Sequence, residues 1–148
     1  MIFLFTGQPG SGKTTLAKKL QFWLQTDKKN WRKDVFHIDE ERLIELFPNT
    51  DYTTIGKEKN IQKAFDIAKY LDNCGSDVVI SMVSPYIELR EQFKSECKVQ
   101  EIYCHTKKMR GKEKLFALDY QPPLEFYVDL DTSDVLDNTF AKLIKILV

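Results

Sequence analysis

The sequence predicts an α/β fold built on a mostly parallel, doubly wound sheet of five strands flanked by helices. Three observations carry that expectation. Short apolar runs alternate with segments of helical periodicity, the first run leads directly into a glycine-rich turn, and no repeat or linker divides the 148 residues. One domain over 1–148 is expected, long enough to enclose a single core.

Taken in order, Ile2–Thr6 is a continuous apolar run, the mark of a strand buried on both faces. Leu16, Leu20 and Leu24 recur every four residues and predict a helix over 13–25. Val35–Asp39 reads as a second short strand, followed by a short helix over 40–47 that Pro48 stops. A polar loop is expected over 49–55. Ile61, Ala64, Phe65, Ala68 and Leu71 form a helical stripe within 57–73, ended by Gly75. The most hydrophobic strand is expected at 77–83, a helix at 86–96 and a strand at 99–104. Residues 105–123 read as irregular and 125–130 as a last strand; Ser133 is predicted to cap a terminal helix over 134–147.

Lysine plus arginine equals aspartate plus glutamate, at 22 each. Global charge therefore points to neither nucleic acid nor an anionic membrane, and an anion site has to be built locally. A nucleic-acid partner is disfavoured on that ground while staying open. Cys74, Cys97 and Cys104 are an odd number without metal-ligand spacing, which suits free thiols in a reducing compartment. No apolar run reaches membrane-spanning length, and the apolar start has no basic flank, so a cytoplasmic protein is expected.

The strongest signal is Gly7-Gln8-Pro9-Gly10-Ser11-Gly12-Lys13-Thr14, followed by Thr15. It completes the Walker A pattern between an expected strand and an expected helix. Glycines allow successive amides to converge on phosphate oxygens, and the helix start adds its positive dipole end. Lys13 would supply a mobile charge to the β and γ phosphates. The Thr14 hydroxyl would ligate Mg²⁺, which makes ATP and Mg²⁺ the expected cofactors.

The rest of the chain separates the classes that share this loop. No guanine-reading Asn-Lys-x-Asp stretch is present, and the strand expected at 77–83 runs into Met82-Val83-Ser84-Pro85 without a carboxylate. Both points argue against a switch or a motor and for a P-loop kinase. Asp39 ends the strand after the first helix, where a carboxylate can orient an incoming hydroxyl and accept its proton. The alternative is that Asp39 merely caps the following helix; Glu41 is a weaker candidate. Lys107, Lys108, Arg110, Lys112 and Lys114 make a basic stretch suited to a short lid over about 105–123, or to a solvated loop.

Several stretches resemble the adenylylsulfate (APS) kinases. They are the phosphate loop with Thr15-Leu16-Ala17, His37-Ile38-Asp39, Asn60-Ile61, Ser84-Pro85-Tyr86 with Arg90 beyond, and Leu130-Asp131-Thr132-Ser133. The resemblance implies that Asp39 is the catalytic carboxylate together with Lys13. It also implies that Asn60, the Ser84–Pro85 backbone and Arg90 contact the sulfonucleotide, and that Phe116 is the lid aromatic stacking on adenine. Lys57 and Ile87 stand where that family carries arginines. The implied reaction moves the γ-phosphoryl group of ATP to a hydroxyl of adenylylsulfate. Alternatives are another acceptor, such as a nucleoside, a modified DNA base or a metabolite, and a nucleotide-binding module without catalysis. A homodimer is left open.

Overall fold

The computed structural model describes residues 1–26 and 33–148. Its strands are β1 (Ile2–Thr6), β2 (Val35–Asp39), β3 (Asp77–Ser81), β4 (Val99–His105) and β5 (Tyr127–Asp131). Its helices are α1 (Lys13–Thr26), α2 (Glu40–Leu46), α3 (Thr54–Asn73), α4 (Ile87–Glu96) and α5 (Leu136–Leu147), with a single 3-10 turn at Glu113–Leu115. The strands form one sheet in the order β2-β3-β1-β4-β5, and every pairing is parallel. Among the described residues no helix is long and apolar enough to cross a membrane.

Alternation along the strands sends side chains to two cores. Phe3, Phe5, Val79, Ile102, Cys104, Val128 and Leu130 pack with Leu16, Leu20 and Leu24 of α1 and Leu143 of α5. Ile2, Leu4, Ile38, Val78 and Ile80 pack on the other side with Ile61, Ala64, Phe65 and Ala68 of α3 and Phe93 of α4. Both faces of the sheet are thus covered, which is why its central strands read as unbroken apolar runs. Phe65 and Phe93 stack with centroids 4.1 Å apart and join α3 to α4.

Several boundaries depart from the sequence reading by a few residues, β3 ending at Ser81 and β5 beginning at Tyr127, and two of the departures have a side-chain cause. The polar loop ends earlier, because the Thr53 hydroxyl accepts from the Gly56 amide and starts α3 at Thr54. Ser133 does not cap the terminal helix. Its oxygen accepts from the Lys107 amide at 2.9 Å and ties down the start of the lid, while α5 begins after Val135 without a side-chain cap.

Arg90 also corrects an expectation. The resemblance placed it on the substrate, yet its side chain is wholly buried. Nε donates to Glu101 at 2.7 Å, and the other nitrogens donate to the carbonyls of Ser84 and Gln121. Glu101 is equally buried and takes a second cation from Lys94 at 2.7 Å. The guanidinium lies 5.5 Å from the Tyr120 ring centroid, so one residue binds α4, β4, the loop after β3 and the end of the lid. Removing one member of a buried pair strands the other. Arg90→Met is expected to cost about 3–5 kcal/mol in denaturant unfolding; a loss below about 1 kcal/mol would show that the pair does not hold these segments.

Candidate active site

The parallel register brings the chemistry to the carboxyl end of the sheet. Phe5 lies beside Ser81, and Ser81 beside Asp39, so the ends of β1, β3 and β2 are level. From there the chain leaves β1 through Gly7, whose position no other residue could take. A Cβ on Gly7 would sit 2.2 Å from the Cys104 carbonyl oxygen of β4. Gly12 has a φ of 92°, a left-handed backbone that strains any side chain, and it lies against Arg110 and Thr132.

Behind this loop α1 begins at Lys13, so its first-turn amides face the mouth of the loop. Pro9, Gly10, Gly12, Lys13, Thr14 and Thr15 line a cavity of about 600 Å³ together with Asp39, Glu40, Ser81 and Arg110. Lys13 is buried, and its ammonium donates to the Gln8 carbonyl at 2.9 Å. Burial pulls its pKa below the ordinary lysine value, opposed mainly by the carboxylate of Glu40. A desolvated cation whose ammonium meets neutral oxygens of Gln8 and Ser11 suits an anion above the loop. Ser11 is buried beneath it, and Gly7 and Gln8 lie outside the cavity lining.

Asp39 makes no helix-capping bond. It is buried, and its Oδ1 accepts from the Thr14 hydroxyl at 3.0 Å and the Ser81 hydroxyl at 2.8 Å. Ser81 in turn meets His37 Nε2 at 2.7 Å. The next residue, Glu40, turns back toward the loop after β3, where Oε2 accepts from the Val83 amide at 3.3 Å. Burial raises the Glu40 carboxyl above its ordinary range, against the Val83 amide and Lys13. Sequence reasoning passed over Ser81, His37 and Glu40; only strand pairing reveals the first two.

A second cavity of about 600 Å³ adjoins the first and shares Pro9, Glu40, Val83 and Leu115 with it. Asn60, Pro85 and Phe116 line this second space, as do Lys57 and Asp119. Asn60 and Phe116, 56 residues apart in the chain, are thus brought to one pocket. Ser84 is not: it is fully buried at a φ of 45°, and its carbonyl is taken by Arg90.

The lid is strapped to the phosphate loop. Gln8 exchanges two hydrogen bonds with the Ala117 backbone, both 2.8 Å, and Arg110 donates to the Gly10 carbonyl at 2.9 Å. Of the basic stretch, Arg110 and Lys112 line the nucleotide-side cavity, while Lys107, Lys108 and Lys114 do not.

Gly7→Ala is expected to abolish nucleotide binding measured by calorimetry, because a 2.2 Å approach to backbone cannot be relieved by a side-chain shift. Binding within about threefold of the parent would show that the loop can move off β4 at little cost, by the relation of affinity to free energy.

Comparison with known proteins accords with this geometry. The sequence profile of the adenylylsulphate kinase family matches residues 1–115. A probable adenylyl-sulfate kinase of Archaeoglobus fulgidus is 29% identical over 154 residues, covering 90% of this chain and 97% of that protein. One from Pyrococcus abyssi is 31% identical over 102 residues, covering 68% of this chain and 57% of its own length. The Mycobacterium tuberculosis APS kinase solved with AMPPNP and APS superposes with a TM-score of 0.76 at 19% identity, over 99% of this chain and 96% of that one. At that identity the superposition speaks for the fold. With the profile matched from β1 to the lid, the chain belongs to the adenylylsulphate kinase family and is an ATP-dependent phosphotransferase acting on an alcohol.

Proposed function

We propose that ATP occupies the cavity over the phosphate loop, that a hydroxyl-bearing acceptor occupies the adjoining cavity, and that Asp39 serves both. One observation supports this reading above the others: the two cavities meet at Pro9, Glu40, Val83 and Leu115, and Asp39, next in the chain to the shared Glu40, lines the nucleotide-side one. The acceptor's O–H proton passes to Asp39 as its oxygen bonds to the γ-phosphorus. The bond from that phosphorus to the β–γ bridging oxygen breaks, and ADP leaves. Lys13 and the amides from Gly10 to Thr15 stabilise the charge on the transferring group.

The donors at this mouth are hydroxyl and carboxylate oxygens, which suit Mg²⁺. Among the described residues no cluster of three His, Cys, Asp or Glu could hold an ion unaided. Mg²⁺ would therefore arrive with the nucleotide, held by Thr14 and phosphate oxygens, and supply charge neutralisation there.

Adenylylsulfate is the acceptor that family membership puts first, with Asn60, Pro85 and Phe116 contacting it. Phe116 is 42% exposed and faces the pocket, free to lie on a base. The pocket's charge favours a second reading. Glu40, Asp51 and Asp119 line it against Lys57 alone, and Lys57 lies 3.8 Å from Asp119. An uncharged acceptor, such as a nucleoside or a metabolite, suits that lining better than a dianion.

A panel with ADP readout decides between the two. Turnover with adenylylsulfate is expected under the first reading, and turnover only with uncharged alcohols under the second. No acceptor-dependent ADP formation would refute both. Asp39→Asn is expected to lower kcat by roughly 10²–10⁴-fold while leaving ATP binding nearly intact; comparable loss of both would refute the role of Asp39. Lys13→Ala is expected to remove turnover with every acceptor.

A further inference from the structure

The hydrogen bonds around Asp39 have a direction. A carboxylate oxygen accepts, so the Ser81 hydroxyl gives its single proton to Oδ1 across 2.8 Å. The 2.7 Å contact from Ser81 to His37 Nε2 then needs a proton from the ring. His37 is accordingly a donor at Nε2, and the chain runs from imidazole to serine to aspartate. Thr14 also donates to Oδ1, while among the described residues no donor reaches Oδ2.

Strand register builds this chain. Asp39 pairs with Ser81 across β2 and β3, and His37 stands two residues earlier on the same face of β2. Ser81 is nearly wholly buried and His37 half-buried, so water competes little for these bonds. Neither side chain fills a hydrophobic core, and His37 lines neither cavity.

We propose that His37 is a positioning residue for phosphoryl transfer, acting through Ser81 to fix Asp39 with Oδ2 directed to the acceptor hydroxyl. The proposal rests on the reading of Asp39 as the base. Thr14 donates to the same oxygen, but from the first turn of α1, whereas Ser81 donates from within the sheet. Ser81 is thus the sheet's own donor to Oδ1, and His37 is what fixes the direction of the Ser81 proton.

Two measurements test it. The chain has two histidines, so the ring nitrogens of His37 can be assigned in a ¹⁵N spectrum of the wild-type protein. A protonated Nε2 is expected; a neutral ring carrying its proton on Nδ1 would overturn the proposal, since Ser81 would then have to donate to histidine. In steady-state kinetics with the acceptor identified by the panel, His37→Ala is expected to lower kcat roughly 10–100-fold, because without its donor Ser81 is free to turn away and its hydrogen bond to the charged Asp39 is lost. KM for ATP should stay within about threefold, as expected of an effect confined to the transition state. His37→Gln, which keeps an N–H donor, should recover most of the loss, and Ser81→Ala should match His37→Ala. A kcat unchanged in His37→Ala, or glutamine as poor as alanine, would overturn the role. If Asp39→Asn kept full turnover, the base reading would fall and this role with it; loss in Asp39→Asn with His37→Ala unimpaired would remove this role alone.

Discussion

The near-contact of Gly7 with the Cys104 carbonyl sets the rest of the site. Because nothing larger than hydrogen fits there, the chain leaves β1 pressed against β4 and turns back over the sheet before α1 begins. That path puts Lys13 under the loop and Thr14 beside β2. It also buries Cys104 beneath the phosphate loop, where desolvation pushes its thiol up to about 12 and leaves it inert. A cavity for a polyphosphate is the residue of these packing constraints, with amides and a desolvated ammonium as its walls.

Two different kinds of order surround that cavity. The sheet and its two apolar cores fix Asp39, Ser81 and His37 through register, which admits no slip when both faces are buried. Lid and phosphate loop meet through polar bonds between exposed or half-exposed groups, such as Gln8 with Ala117 and Arg110 with Gly10. The first kind of contact is costly to break and holds the Asp39 carboxylate in place. The second breaks at low cost, as a cover over a substrate requires.

Much of this was legible in the sequence. The phosphate loop is a local pattern, so seven or eight consecutive residues declare it wherever they sit before a helix. That Asp39 would stand at the mouth of the nucleotide cavity was legible from its place at a strand end, and that Asn60 and Phe116 would share a pocket from family resemblance; what they do there is a matter for the tests above. Ser81 and His37 were not, because their role depends on which strand lies beside which, and 44 residues separate them. Arg90 misled for a related reason: an arginine after Ser-Pro-Tyr carries no mark of whether it points out to an anion or in to Glu101. Ser133 was assigned to the nearest helix, whereas its partner, the Lys107 amide, lies 26 residues away.

The buried arginine also divides the lid in two. Gln121 is pinned by the guanidinium and by the Pro85 carbonyl, and Tyr120 is held by Thr6. These residues belong mechanically to the sheet. Between Lys107, held by Ser133, and Tyr120 the ribbon reaches the body of the protein chiefly through Arg110, which donates to Thr132, and through Ala117, which pairs with Gln8. The cover of the nucleotide cavity is thus a ribbon clamped at both ends to a frame that the buried arginine keeps rigid.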